Sequence, residues 1–280
     1  MSVIELIEEG NIHKLFQTIY EDIPRNIDSL REFHNKIKSI LILNAKINTR
    51  GEKLLDVAVG RGGDIIKWSR AKFKYVTGFD SDKKSIYEEH DFDGAIKRFK
   101  DVKKNIYVPK CFFWNISATD SNVLKILNNK DHGSIYDVVS CQFSIHYFIS
   151  KLDIVLYMIS QKLKRGGMFI GTTIDGDLLY KNLQNGNINI PFLNIFKKTD
   201  ISYVYEIINN GNKETYYDYR GALPEYFVFK KILVEKCKDY SLSLIRFKNF
   251  HEWNKEIDIN LTTHEKIISY FNFSFEFLKI

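Results

Sequence analysis

The run Leu54-Leu-Asp-Val-Ala-Val-Gly-Arg-Gly-Gly-Asp64 carries the most specific chemistry in this chain. An apolar stretch breaks into a glycine turn and then opens a helix. Glycines let a backbone turn sharply and come against a ligand with no Cβ in the way. The first N–H groups of a helix have no partner within it. A second apolar run, Tyr75-Val-Thr-Gly-Phe-Asp80, ends in a carboxylate 20 residues beyond Gly60. That is about the separation between the first βα turn and the acidic residue that holds a ribose in nucleotide-binding sheets. The pattern predicts a nucleoside cofactor in the first half of the chain. A glycine turn in a non-binding α/β domain is the plainer alternative.

The turn reads Gly60-Arg-Gly62-Gly63-Asp64, so the third glycine of the dinucleotide pattern is missing. No Lys-Ser or Lys-Thr pair follows, which argues against a phosphate-cradling loop. Asp56 lies inside the strand just before the turn. It repels a pyrophosphate but suits a cofactor that bears an amine. S-adenosylmethionine, with an ammonium, a sulfonium and a ribose diol, fits that requirement.

The elements that must position these groups alternate. Ser29-Leu-Arg-Glu32 reads as a capping box, and Leu30, Phe33, Ile37, Ile40 and Leu41 then recur at helical spacing. Strand 53–59 leads to a helix from about 64, and strand 75–80 to a lysine-rich helix near 83–103. Strand 111–115 follows, then strand 135–141, helix 152–164 ended by Arg165-Gly-Gly167, and strand 168–173. Such alternation predicts an α/β fold, a mostly parallel sheet with helices on both faces. Further on, 202–208 and 214–219 flank Asn210-Gly211, a hairpin signal, and inserted between sheet strands such a hairpin forms a lid. Residues 224–239 read as helix. Phe271, Phe273, Phe275 and Phe277 alternate, which predicts a strand with one buried face. No linker, repeat or low-complexity segment interrupts the chain, so one domain is expected.

With 280 residues, 44% of them hydrophobic, the chain is long enough for one full α/β domain with insertions. Its 41 basic and 35 acidic side chains give a net charge of +6, which permits an anionic partner such as RNA without demanding one. The lysine clusters at 83–84 and 97–104 read as a solvated helix face, or as an RNA backbone track. Cys111, Cys141 and Cys237 are far apart, which argues against zinc or a disulfide framework and fits a reducing, intracellular compartment. No apolar run is long enough for a membrane span, and the acidic N-terminus lacks the basic start of a signal peptide.

Taken together, the motifs resemble those of messenger-RNA cap guanine-N7 methyltransferases, most of all the methyltransferase domains of capping enzymes from large cytoplasmic DNA viruses. The resemblance runs from about residue 29 to the end. It is carried by Leu30-Arg-Glu-Phe-His-Asn-Lys-Ile-Lys38-Ser, by Leu55–Asp64, and by Ser140-Cys-Gln-Phe-Ser-Ile-His-Tyr147. Gly166-Gly-Met-Phe-Ile-Gly-Thr-Thr173 with Ile-Asp-Gly-Asp177, and Pro224-Glu-Tyr-Phe-Val, complete it. It implies a Rossmann-like class I methyltransferase domain at 29–280 with a lid insertion at about 185–225, behind an N-terminal extension, 1–28.

By position, the resemblance places cofactor contacts on Lys38, Asp56, Gly60, Asp80 and Gln142, with Asn115 where the family has a carboxylate near the adenine. Cap-guanine contacts fall on His146, Tyr147 and Glu225, and Tyr270 stands where a tyrosine closes the cap pocket. His34 and Lys36 depart from the family pattern. The implied reaction moves a methyl from S-adenosylmethionine to guanine N7 of a GpppN cap, with no general base and no metal. Guanylyltransferase and triphosphatase domains in the same or another chain are the implied partners of a monomeric domain. The implied setting is host cytoplasm or virion if viral, nucleus if cellular. Two other readings stay open: methylation of another RNA base or small molecule, and an inactive subunit that only binds RNA or a partner.

Overall fold

Short, largely apolar runs form the central strands, and runs with an apolar residue every three or four positions form the longer helices. The protein is described as a computed structural model covering residues 2–16, 28–190, 193–207 and 223–280. In chain order the elements are α1 (Val3–Glu9), α2 (His13–Phe16), α3 (Asp28–Thr49), β1 (Lys53–Val57), α4 (Ile65–Arg70), β2 (Tyr75–Asp80), α5 (Lys83–Tyr87), α6 (Ala95–Lys103) and β3 (Lys110–Asn115). Then come α7 (Val123–Asp131), β4 (Tyr136–Gln142), α8 (Leu152–Lys162), β5 (Leu163–Ile174), α9 (Gly176–Leu183), β6 (Ile188–Ile190), β7 (Leu193–Lys197) and β8 (Ser202–Ile207). The last are β9 (Leu223–Tyr226), α10 (Lys230–Asp239), β10 (Leu242–Asn249), α11 (Phe250–Asn254), α12 (Thr263–Tyr270) and β11 (Asn272–Lys279).

These elements form two compact units. The first comprises Met1–Ile37, Thr173–Ile232 and Lys248–Ser274; the second comprises Lys38–Thr172, Leu233–Phe247 and Phe275–Ile280. The seven-stranded sheet has the order β10-β11-β5-β4-β1-β2-β3. β1 pairs in parallel with β2 and with β4, as do β2 with β3 and β4 with β5. The α/β, mostly parallel expectation holds. After Lys53, β1 is buried at every position, as strands covered on both faces are.

In the first unit a four-stranded sheet, β6-β7-β8-β9, is antiparallel throughout. Its core gathers Leu179, Ile188, Leu193, Ile195, Tyr203 and Phe227. Leu6, Ile7 and Ile12 join the same core. Asn182 binds that early segment, donating to the Ile7 carbonyl at 2.7 Å and accepting from the Ile12 N–H at 3.2 Å. The turn expected at Asn210-Gly211, and its second arm, lie outside the described residues.

Several local expectations need correcting. Helix α3 has begun by Asp28, so Ser29 lies inside its first turn instead of capping it, and the Leu30 N–H donates to Glu265 Oε1 at 3.0 Å. The lysine-rich helix is two helices, because the Glu88–Gly94 segment turns away from helical geometry at Glu88 (ψ 135°). Residues 224–226 form strand β9, and the helix begins only at Lys230. Arg165-Gly-Gly167 lies within β5, where the pairing register with β4 shifts. Of the alternating phenylalanines, Phe273, Phe275 and Phe277 lie on β11, while Phe271 caps the end of α12; both faces of the strand are buried from Asn272 to Phe277. Its second face buries polar groups with partners: Asn272 donates to the Ile268 carbonyl at 2.8 Å, Ser274 accepts from Trp253 Nε1 at 3.0 Å, and Glu276 accepts from Arg246 Nε at 3.0 Å. Hydrophobic alternation cannot reveal a face that is buried but polar.

β5 carries Gly171, where a Cβ would stand 2.1 Å from the Cys141 carbonyl and 2.3 Å from the Phe275 ring. Neither backbone carbonyl nor packed ring can yield easily, and overpacking of this kind costs about 1–3 kcal/mol or more. Gly171→Ala should therefore lower the urea midpoint by at least that equivalent, with an unchanged dependence on denaturant. A midpoint within error of the parent would show that β4 and β5 can separate freely at this point.

Candidate functional site

Strand order reverses at β1. The chain steps outward from it to β2 and β3, then returns to its other side as β4. Ligands of open α/β sheets settle beyond the carboxyl ends of the strands at such a point. Here the backbone leaves ordinary geometry at non-glycine residues. Ala58, just past β1, has φ 59°, and Phe143, just past β4, has φ 51°. Left-handed non-glycine residues cost energy and cluster at ligand sites. Between them Gly60 (φ 51°) faces open space: a Cβ built on it meets nothing within 4 Å. A ligand can therefore come against this main chain. Phe143 is held by its N–H, which donates to the Thr172 carbonyl at 2.8 Å.

A buried charge cluster lies beside the turn. Asp56 is 3% exposed on β1, level with Ser140 on β4, whose hydroxyl donates to it. Burial pushes the Asp56 carboxyl far above the usual carboxylate range; Asp64 adds to the effect, while Lys38 and Ser140 oppose it. Asp64 is 6% exposed. Its Oδ1 lies 2.8 Å from Lys38 Nζ and 2.7 Å from Lys67 Nζ. Burial raises its pKa, but the two ammonium groups outweigh burial and hold it well below the usual range. Asp64 stands at the N-cap of helix α4, but its carboxylate accepts from none of the helix N–H groups; both lysines claim it. Lys67 also donates to the Gly63 carbonyl at 3.0 Å, which ties the glycine turn to the cluster. Burial depresses its pKa, and Asp64 partly restores it.

Of the expected cofactor contacts, the second unit brings together Lys38, Asp56, Gly60, Asp80, Asn115 and Gln142. Asp80 Oδ2 accepts from the Gly60 N–H at 2.9 Å, and its Oδ1 accepts from the Asp82 N–H at 2.9 Å. Burial raises its pKa, against those N–H groups. Asn115 donates both amide N–H groups, to the carbonyls of Asp80 and Ser81, each at 2.9 Å. This leaves Oδ1 as its acceptor. Gln142 is fixed at both ends: Nε2 donates to Ser140 Oγ at 3.1 Å and Oε1 accepts from Thr172 at 3.0 Å. Asp64 and Lys67 were not among the expected contacts. Their signal was present in the sequence, an acid and a base three residues apart at a helix start, but that spacing is commonly a solvated surface pair.

The expected base-reading residues fall in both units. His146 (buried) and Tyr147 (41% exposed) occupy a single 3-10 turn after β4, with ring centroids 4.2 Å apart. Glu225 is buried on strand β9, opposite Tyr203 on β8, whose hydroxyl donates to Oε2 at 2.6 Å. Tyr270 ends helix α12 inside the apolar core of the first unit, and its hydroxyl donates to Asn254 Oδ1 at 3.1 Å. Those contacts pack Tyr270 within its own unit. His34 likewise packs edge-on to Phe250 and pairs with Ser269 Oγ at 2.9 Å. Among the described residues no cluster of His, Cys, Asp and Glu has the makings of a metal site, and no helix is long and apolar enough to cross a membrane.

A carboxyl whose folded pKa is raised holds its proton more tightly in the folded state than in the unfolded one. Its contribution to stability is present below the unfolded value, near 3.9, and is lost as pH rises through the folded value. Asp56→Asn removes that loss. The ligand-free variant should melt above the parent at neutral pH by about 2–4 °C per kcal/mol gained. The gap should close as pH falls towards 4. A gap that is absent, or that widens on acidification, would mean that Asp56 is not strained in its charged form.

A family model described as the mRNA (guanine-N(7))-methyltransferase domain matches residues 20–271. The chain is 30% identical over 275 residues to a probable mRNA-capping enzyme of Acanthamoeba polyphaga mimivirus, covering 85% of this chain and 23% of that one. It is 32% identical over 242 residues to the mRNA cap guanine-N(7) methyltransferase of Cryptococcus neoformans, covering 81% of this chain and 32% of that one. It thus spans about a quarter to a third of the length of these relatives. In fold it is similar to magnesium protoporphyrin IX methyltransferase from Synechocystis PCC 6803 with bound SAH, at a TM-score of 0.54, 14% identity and 99% coverage of each chain. A similar likeness, at a TM-score of 0.53 and 14% identity, covers 95% of this chain and 96% of an S-adenosylmethionine-dependent methyltransferase from Clostridium acetobutylicum. With a match that takes in the glycine turn, the reversal of strand order and the β4 motif, the chain belongs to the mRNA (guanine-N(7))-methyltransferase domain family.

Proposed function

We propose that this chain transfers the methyl group of S-adenosylmethionine to guanine N7 of GpppN-capped RNA. The observation that carries the reading is the buried Asp56 beside an open glycine turn, in a chain of this family. The residues present fit the cofactor. A buried carboxylate that is costly to ionise alone is stabilised by a cationic amine. Asp80 retains acceptor capacity for a ribose hydroxyl, since a carboxylate offers about four acceptor positions and the N–H groups of Gly60, Asp82 and Ser81 take up three of them. Asn115 Oδ1 accepts from an adenine amine, and the Gly60 main chain leaves room. S-adenosylmethionine, when bound, supplies an electrophilic methyl on a sulfonium.

The chain's own part is to bind, orient and exclude water. Asp56 and Lys38 take the amino-acid end, and Asp80, Asn115 and Gln142 the nucleoside. Tyr147 offers a half-exposed face for a base, a contact worth roughly 1–3 kcal/mol, and His146 beside it bonds a base oxygen or ribose hydroxyl. Glu225, oriented by Tyr203, accepts from guanine N1–H and N2–H together. No residue needs to remove a proton, because N7 carries an unshared pair at neutral pH. Rate comes from holding N7 in line with the methyl and from carboxylates near the spreading positive charge. The remaining capping steps, guanylyltransferase and triphosphatase, belong to other domains or chains.

Mass mapping of the methyl on GpppA decides the reaction: it should sit on the guanosine at N7, and ApppA should stay unmodified. Glu225→Gln swaps one acceptor for a donor against two donors, and a mismatched buried pair costs about 1–3 kcal/mol or more. It should lose at least about fivefold in kcat/KM on GpppA, at about 1.4 kcal/mol per factor of ten, with little change in S-adenosylmethionine affinity by calorimetry. Unchanged kcat/KM would remove Glu225 from guanine reading. The single-turnover rate should be flat in pH between about 6 and 8. A tenfold rise per pH unit would reveal a general base and point to a hydroxyl or amine substrate.

A further inference from the structure

The second unit carries a basic and aromatic surface at the amino-terminal end of its outer strands, away from the Asp80 end of β2. Segments 69–75 and 103–112 contain six basic side chains and no acidic one. The structure joins them. The Ser69 hydroxyl donates to the Tyr107 carbonyl, and the Lys110 N–H donates to the Lys74 carbonyl at 2.9 Å. Lys110 also stands level with Tyr75 across the β2–β3 pair.

Three aromatic side chains are exposed here: Tyr107 at 66%, Tyr75 at 43% and Phe112 at 42%. The ring of Phe112 stacks on Trp114, with centroids 6.1 Å apart and planes 25° apart. The Lys110 ammonium stands 5.4 Å from the Phe112 centroid. Lys74 is paired with Glu52 and lies within electrostatic reach of both phenols. Among the described residues, Lys72, Lys103 and Lys110 form no ion pair with a carboxylate. Strand β3 is the edge of the sheet, so nothing in the sheet covers its outer side.

Exposed rings beside unneutralised cations are what a single-stranded nucleic acid needs: faces for its bases and charges for its phosphates. We propose that this edge holds the RNA body downstream of the cap, with bases against Tyr107 and Phe112 and phosphates against Lys72, Lys103 and Lys110. The inference rests on the reading that capped RNA is the substrate. From Tyr75 to Asp80 the strand rises five steps, about 17 Å at 3.3 Å per residue. A cap analogue held at the Asp80 end has no RNA body to place on this edge, whereas a transcript of ten or more nucleotides does.

The test compares the parent with Tyr107→Ala/Lys110→Ala/Phe112→Ala and with the charge-only variant Lys72→Glu/Lys110→Glu. Binding of a fluorescein-labelled, uncapped 20-nucleotide RNA is followed by anisotropy, and methylation is measured on GpppA and on the same RNA capped. Both variants should bind the RNA at least tenfold more weakly and raise KM for capped RNA by a similar factor. Kinetics on GpppA should not change. In the charge variant the slope of log Kd against log salt should be shallower by about 1.4, at about 0.7 per phosphate contact on single strands. Unchanged RNA affinity in both variants overturns the inference and leaves the lysines as guards against edge pairing. Unchanged affinity together with loss of a concentration-dependent dimer assigns the edge to a protein contact and overturns it equally. If the parent fails to methylate GpppA, the cap reading falls, and the anisotropy arm still decides whether this edge binds RNA.

Discussion

Four ionisable groups share one poorly hydrated place in the second unit: Asp56, Asp64, Lys38 and Lys67. Taking charges out of water is expensive unless they are paired, and the pairing here is uneven. Asp64 is held by two ammonium groups at 2.7 and 2.8 Å, while Asp56 has a serine hydroxyl and only the more distant field of Lys38. The cluster is therefore satisfied at one carboxylate and wanting at the other. The wanting carboxylate lies one residue before the end of β1. The glycine turn has a fixed shape, since Lys67 binds both Asp64 and the Gly63 carbonyl.

The same economy extends into β4. Thr172 donates to Gln142, Gln142 to Ser140, and Ser140 to Asp56. One line of hydrogen bonds thus joins β5, β4 and β1 at their carboxyl ends. Strained backbone at Ala58 and Phe143 brackets this line. Such strain persists only where surrounding contacts over-determine it, and the contacts are identifiable: Val59 N–H to the Phe79 carbonyl and Phe143 N–H to the Thr172 carbonyl.

Much of this was legible before the structure. β2 begins and ends where the sequence pattern placed it, at Tyr75 and Asp80, because a short, largely apolar run between Lys74 and a terminal carboxylate has few other uses. The 20-residue spacing marked Asp80 and Gly60 as parts of one site, and in the fold the two are joined by a hydrogen bond. What the sequence hid was mostly a matter of partners far along the chain. Glu225 reads locally as a helix start after proline, but pairing with β8 makes it part of a strand. Nothing local marks Asp64 and Lys67 as buried, and the second cation on Asp64, Lys38, lies 26 residues upstream of it. Phe271–Phe277 show their own alternation and conceal that Asn272, Ser274 and Glu276 are buried too, since a satisfied polar face carries no hydrophobic signature. Tyr270 was placed by position, and the core contacts it makes belong to residues no local pattern links to it.

The order in which the chain is made bears on all of this. β11 sits between β10 and β5 in the sheet, although it is the last strand in sequence. The first unit, too, draws on segments from the beginning, the middle and the region up to Ser274. During synthesis, β5 must wait about a hundred residues for its neighbour, several seconds at 5–20 residues per second. Over that interval its unpaired edge and the apolar face beside Gly171 are open to wrong partners. Nascent chains of this protein thus have a built-in dependence on whatever shields them at the ribosome, and a late stop codon that removes β11 damages both units at once.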